Sequence, residues 1–397
     1  MIHKRPWFFS CGVLSLLLLG YGLKRYNGFD FHSYFDLVKG ANEGASVYGV
    51  KPLSLYPPPG VYLLRGLQFI PETVAHVAWY LISLCLFFRM SFIGFSLVLS
   101  DRVLSIQQFL LFIWISWLAI LQGLGAQLEG GNINLGLMYL MFEGLYCLSF
   151  ERGSSFKLSK GIFLIWFPIF FKPYLGLISL GITIQMLRKT SWKSFILPGA
   201  LLGLVLLIPL IHLGVEPVMR EYKDWLKGDV RYIDCAFTLK CNAVNYSLTS
   251  YFYHIHQLKL EKIFVITGLL SFLAMGYSFF EQNLQKLFAA LCTLTFLISP
   301  ASFPYTMMLL WFPILWSTTN LILERQKKGF LTASIPLLFL ASIIFLNPTY
   351  VGREFFNQVV VPYRVTSFMV APLLWALLDF SWLKTQRPSV VKSNELL

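Results

Sequence analysis

The sequence has little charge. Only 13% of its 397 residues are Asp, Glu, Lys or Arg, about half the ~25% of an ordinary soluble domain. Together with 56% hydrophobic residues, this excludes a soluble globular enzyme and a disordered chain. Cysteine is scarce, with six residues, which excludes a disulfide miniprotein. The apolar residues come in runs and do not alternate, so an outer-membrane barrel is excluded too. There is no Gly-rich phosphate loop, no G-x-S-x-G and no H-E-x-x-H, so ATP-driven transport has no support. No internal repeat is visible. The basic start Met1–Arg5 and the run Trp7–Leu23 lack a small-residue cleavage site after them. They read as an uncleaved first span with a cytoplasmic start, not as a signal peptide.

What is present is membrane-spanning sequence. One crossing needs ~20 apolar residues, and the runs suffice for about twelve crossings. The chain is therefore expected to be all-α and polytopic, one integral membrane domain over 1–397, with both termini inside. The formal charge of +13 fits Lys and Arg at span ends on the cytoplasmic side, not a nucleic-acid surface. Aromatic residues at 17% fit interfacial Trp and Tyr.

Two apolar stretches are broken by prolines. One is Gly161–Leu187, interrupted at Phe171-Lys172-Pro173; the other is Leu287–Leu323, interrupted at Ser299-Pro300-Ala301-Ser302. Each predicts a hairpin of two spans or two half-spans. Non-helical backbone at that depth needs protein or a water-filled cavity around it, so two breaks point to a cavity.

Two long polar segments, 24–72 and 215–262, fall on the same, non-cytoplasmic side. The first contains Tyr56-Pro57-Pro58-Pro59-Gly60, which cannot continue a helix, so it reads as a loop with short pieces of surface helix. Long ordered segments are usually functional. Chemistry is expected where they meet the broken spans, within reach of a lipid-borne substrate.

Asp30 follows the first span between Phe29 and Phe31. Partial desolvation there would raise its pKa and make it a better proton acceptor; the plainer reading is an interfacial acid near Lys24 and Arg25. Lys172, at a break, would suit an anion such as a lipid-linked phosphate, or it snorkels to headgroups. Asn132, Asn134, Asn245 and Ser247 suit hydroxyl-rich ligands or helix caps. His254 and His256 are spaced for a strand-borne metal pair, but no Cys or clear carboxylate completes a site; no metal and no cofactor is expected. Cys235 and Cys241 share a polar segment and are disulfide candidates if it faces an oxidising compartment, although spacing alone does not fix the geometry.

In their order along the chain these motifs resemble glycosyltransferase family 87, of the GT-C superfamily of polyprenol-phosphate-sugar transferases. Asp30-Phe31-His32-Ser33-Tyr34-Phe35, Val47-Tyr48-Gly49 and Tyr56-Pro57-Pro58 look like its first outer loop. Gly131-Asn132-Ile133-Asn134 resembles G-Q-x-N, and Phe171-Lys172-Pro173-Tyr174 resembles the K-P-Y turn. Asn245-Tyr246-Ser247-Leu248 resembles N-Q-S-L, and Ser299-Pro300-Ala301-Ser302 resembles S-P-x-S. The family often has a His soon after S-P-x-S; here Tyr305 stands nearby, able to hydrogen-bond without charge.

The resemblance implies a GT-C-like bundle in the membrane, multi-pass in a bacterial cytoplasmic membrane with the site facing the periplasm. It implies transfer of a hexose, mannose-like, from a polyprenyl-phosphate donor to a lipid or glycan acceptor of the cell envelope. It carries the base role to Asp30 and a donor-site role to Lys172. Tyr34, Tyr56, Asn132, Asn134, Asn245, Ser247 and Tyr305 follow as substrate-binding candidates. Arg231 and Arg364 are further basic groups for the departing phosphate. Competing readings are a flippase for a lipid-linked saccharide and a scaffold subunit of an envelope-assembly complex.

Overall fold

The computed structural model describes residues 4–25, 28–42, 48, 56–99, 104–150, 155–238, 247, 249, 252–253, 256–299 and 304–324. Every regular element among them is helical, without a strand. The helices are α1 (Lys4–Arg25), α2 (Phe29–Asn42), α3 (Pro58–Leu63), α4 (Glu72–Val98), α5 (Ile106–Gly130) and α6 (Asn134–Phe150). They continue as α7 (Ser155–Trp166), α8 (Gly176–Lys189), α9 (Ile196–Leu213), α10 (Val215–Thr238), α11 (Leu260–Phe280), α12 (Leu284–Ile298) and α13 (Trp311–Glu324).

Local chemistry sets the helix ends. Ser105 starts α5 with a capping box: its hydroxyl accepts from the Gln108 N–H at 3.2 Å, and the Ser105 N–H donates to Oε1 of the Gln108 side chain at 3.0 Å. Asn283 starts α12 by accepting from the N–H groups of Gln285 and Lys286, both at 3.0 Å. Such caps satisfy donors that the helix itself leaves orphaned.

Both predicted breaks are real. The chain between α7 and α8 passes through two short 3-10 turns with Lys172 between them. The two arms fold back on each other: the Trp166 indole donates to Thr183 Oγ1 at 2.8 Å, and the Ser179 hydroxyl to the Ile165 carbonyl at 2.7 Å. Likewise α12 stops at Ile298, and α13 returns beside it, with the Phe288 and Phe312 rings 5.3 Å apart.

Three helical stretches are long and apolar enough to cross a membrane: Glu72–Val98, Trp192–Leu213 and Glu261–Phe280; α5, taken as one bent span, makes a fourth. The expected count of about twelve crossings is not reached among the described residues. The arms of both hairpins have only 12 to 15 residues, below the ~20 that one crossing takes. The expected spans at 330–347 and 365–383 lie outside the described residues.

The outer flanks are apolar. Leu201, Leu204, Leu207 and Ile211 of α9 and Phe264, Val265, Phe272 and Leu273 of α11 are all exposed. In water so broad an apolar surface would drive aggregation; in a bilayer it matches the lipid tails. The second polar segment, expected as a loop, begins as the 24-residue helix α10. Its residues Val218 and Glu221 are buried and Trp225 packs against the core, and the helix lies against α3. The two polar segments therefore meet.

The bundle has two chemically distinct ends. At one, Glu143 of α6 lies 3.5 Å from Arg89 of α4 and 3.6 Å from Lys160 of α7. There the Gln185 amide also donates to the Glu281 carbonyl at 2.7 Å. The other end collects α2, α3, the start of α4, the α5–α6 turn and the α7–α8 turn, and it holds the site.

Candidate functional site

Helix α2 buries Phe31, Tyr34 and Val38, an i, i+3, i+7 stripe. The Gly28 N–H donates to the Glu129 carbonyl at 3.0 Å, which ties its start to the end of α5. Asp30 and Tyr34 are four residues apart and share a helical face. That face meets the turn between α5 and α6.

The turn is built from Gly130-Gly131-Asn132-Ile133. Gly131 is left-handed, with φ 69° and ψ 33°, a region that penalises a Cβ. A Cβ on Gly130 would lie 2.9 Å from Asp30 Oδ2, so the missing side chain is where the carboxylate fits. Asn132 is buried. Its Oδ1 accepts from the Asn134 N–H at 2.9 Å. That assigns the amide orientation, and its Nδ2 donates to Asp30 Oδ2 at 3.0 Å. One end of the amide thus caps the turn, and the other end holds Asp30.

The remaining contacts extend this cluster. The Ile133 N–H donates to Tyr34 Oη at 3.0 Å. The Tyr34 and Tyr56 hydroxyls are 3.0 Å apart. The Lys172 ammonium sits 4.5 Å from the centre of the Tyr56 ring, a cation–π distance. Lys172 in turn lowers the Asp30 pKa through its charge. Lys172 is only 3% exposed, so snorkelling to the surface does not describe it. The turn that carries it packs tightly on α3: a Cβ on Gly60 would lie 2.4 Å from the Phe170 carbonyl oxygen.

Burial raises the Asp30 carboxyl above the usual Asp value; the Asn132 hydrogen bond and the Lys172 charge recover part of this. A carboxylate with its pKa raised in this way is a stronger base than an exposed one. Burial, then the Asp30 charge, push the Tyr34 phenol upward. It acts as a neutral hydrogen-bonding group.

Beside this cluster runs a narrow cleft lined by Asn134, Leu137, Met138, Tyr174, Thr306 and Leu309. Asn134 is 5% exposed, and among the described residues its side-chain amide has no hydrogen-bond partner. A buried amide in that state costs free energy until a ligand or water meets it.

Asp30, Tyr34, Tyr56, Asn132 and Lys172 are therefore brought together, with Asn134 at their edge. Ser247 is buried as well: the Thr249 hydroxyl donates to it at 3.0 Å and lies 3.4 Å from the Ser299 carbonyl. That joins the fourth motif to the second break. Asn245, Cys241, His254 and Arg364 lie outside the described residues, as do the side chains of Tyr305, Arg231 and Cys235. Sequence reasoning missed a further cluster, His32, Glu72 and His76, whose members are far apart in the chain.

Comparison with known proteins gives one result. The model of glycosyltransferase family 87 matches residues 55–300. That interval contains Tyr56, Asn132, Asn134, Lys172, Asn245 and Ser247, while Asp30, Tyr34 and Tyr305 lie beyond it. No curated protein and no solved structure matches the chain. With well over half its length matched, and with apolar helices of membrane-crossing length, the chain belongs to glycosyltransferase family 87, a family of membrane glycosyltransferases.

Proposed function

We propose that the protein transfers a hexose, mannose-like, from a polyprenyl-phosphate donor to a lipid or glycan acceptor on the non-cytoplasmic face of the membrane. The observation that supports this reading is the buried cluster of Asp30, Asn132, Tyr34, Tyr56 and Lys172. It brings a desolvated carboxylate within electrostatic reach of a buried cation. Asp30 takes the proton of the acceptor hydroxyl as that oxygen attacks the anomeric carbon. The sugar–phosphate bond breaks, and its electron pair leaves with the polyprenyl phosphate. The departing group then carries more negative charge, which Lys172 stabilises. A single displacement inverts the anomeric centre. Asn134, with its unsatisfied amide, is placed to meet a sugar hydroxyl, and the apolar flanks leave a lipid tail in the bilayer. No metal is needed in this scheme.

The flippase alternative draws no support from a transferase family. The test uses membranes containing the protein, a labelled polyprenyl-phosphate mannose and an acceptor extract. Transfer by the wild type and none by Asp30→Asn at equal protein level is the expected result. Full turnover by Asp30→Asn would remove Asp30 from the mechanism. Retained anomeric configuration in the product would remove the single displacement.

A further inference from the structure

We infer that His32, Glu72 and His76 form a binding site for a divalent transition-metal ion, with Zn²⁺ the best chemical match, that clamps α2 to the start of α4. One ligand atom from each of the three lies within 4.8 Å of the others. Glu72 Oε1 is 3.6 Å from His76 Nε2, and His32 Nδ1 contacts the same Oε1. A tetrahedral zinc ion with ligands at ~2.0–2.2 Å holds its donor atoms roughly 3.3–3.6 Å apart. The Glu72–His76 pair already has that spacing. Two imidazoles and one carboxylate make a three-ligand set that leaves a fourth position for water.

The local structure supports the same conclusion. Glu72 and His76 are separated by one helical turn at the start of α4, so their side chains lie on one face. His32 approaches from α2, and its ring centre lies 4.5 Å from that of His76. Phe31 stacks edge-on to His76 at 4.8 Å, and Trp79 lies 5.6 Å beyond Phe31. Those rings wall the site on the bundle side. His32 and Glu72 are more than 40% exposed, so an ion has an open path in.

The ion would act through position and not in the reaction. His32 is two residues after Asp30, about 200° around the helix at 100° per residue. The site therefore faces away from the Asp30–Asn132 hydrogen bond. Binding would fix the rotation of α2 and with it the direction of the Asp30 carboxylate. The inference does not rest on the proposed transfer reaction.

The test needs only the purified full-length protein, carrying a tag without histidine, stripped with a chelator. Titration with ZnCl2 alone, followed by elemental analysis of the desalted protein, should give one ion per chain. His32→Asn and His76→Asn should each reduce uptake at least tenfold. Co²⁺ substituted into the wild type should give the visible absorption of a tetrahedral, imidazole-bound ion. This reading keeps the test decisive even if a variant fails to fold. Stoichiometric zinc missing from the wild type, uptake unchanged in both variants, or a Co²⁺ spectrum of a purely aqueous octahedral ion would each overturn the assignment.

Discussion

Asn132 grips Asp30 with one end of its amide, while the other end is held by the backbone N–H of Asn134. A flip of this amide would lose both contacts at once. The Asp30 carboxylate is therefore aimed by a side chain with one available orientation, set in a turn between two helices.

Replacing Asp30 with Asn should lower kcat by ~10²–10⁴-fold, the usual contribution of general-base catalysis. The Asn side chain keeps the size of Asp, so thermal stability in detergent should stay within about 1 kcal/mol of wild type. Rates in membranes and a melting curve together check this. An intact melting curve with an intact rate would refute it.

Asn132→Ala removes a hydrogen bond to a charged group, worth ~1.5–3 kcal/mol. If that interaction orients the base, kcat should fall roughly ten- to a hundredfold while the KM for donor changes little. A change confined to KM would assign Asn132 to substrate binding instead.

Gly130→Ala puts a methyl group 2.9 Å from Asp30 Oδ2. The short Asp side chain has little room to yield, so it should rotate off the Asn132 amide. Activity should drop to a level similar to Asn132→Ala, and the double variant should be little worse than either single one, because both act on the same carboxylate. Additive losses in that cycle would show that the two act separately.

Lys172→Met preserves the buried stem and deletes the charge. If the ammonium stabilises a departing phosphate, kcat should fall ~10²–10³-fold, as on removal of an oxyanion donor. Lys172→Arg should recover only part, because a planar fork does not replace a compact ammonium over the Tyr56 ring. Turnover with a series of donors of different leaving-group pKa measures the effect directly.

Tyr34→Phe leaves the buried Ile133 N–H without its acceptor and should cost ~1–3 kcal/mol of stability. Tyr56→Phe deletes the hydroxyl beside Tyr34 while Tyr34 keeps the Ile133 N–H, and should cost less. Denaturation of the two variants side by side tests the ranking.

Much of this site was readable in the sequence, because membrane spans make polar residues conspicuous. Asp30, Asn132 and Lys172 each interrupt or end an apolar run, and the breaks at Lys172 and Ser299 are where proline forbids a helix. The crossings were less legible. Run length does not distinguish a full span from the arms of a short hairpin, and α7, α8, α12 and α13 are such arms. The helix α10 went unseen because its charges mask a stripe of Val218, Tyr222 and Trp225 at helical spacing. The pairing of His32 with Glu72 and His76 had no sequence signal, since it exists only once α2 lies across the start of α4.

The thin seating of α9 and α11 has a practical corollary. Each touches the body along a narrow line and presents leucine and phenylalanine to its surroundings on most other sides. In hydrocarbon nothing squeezes two greasy cylinders together beyond close fit and a few polar links. Short-chain surfactants should therefore peel these two rods away while the Asp30 turn stays assembled. A solubilised sample would then look folded near the Asp30 carboxylate after losing two of its lipid-facing helices.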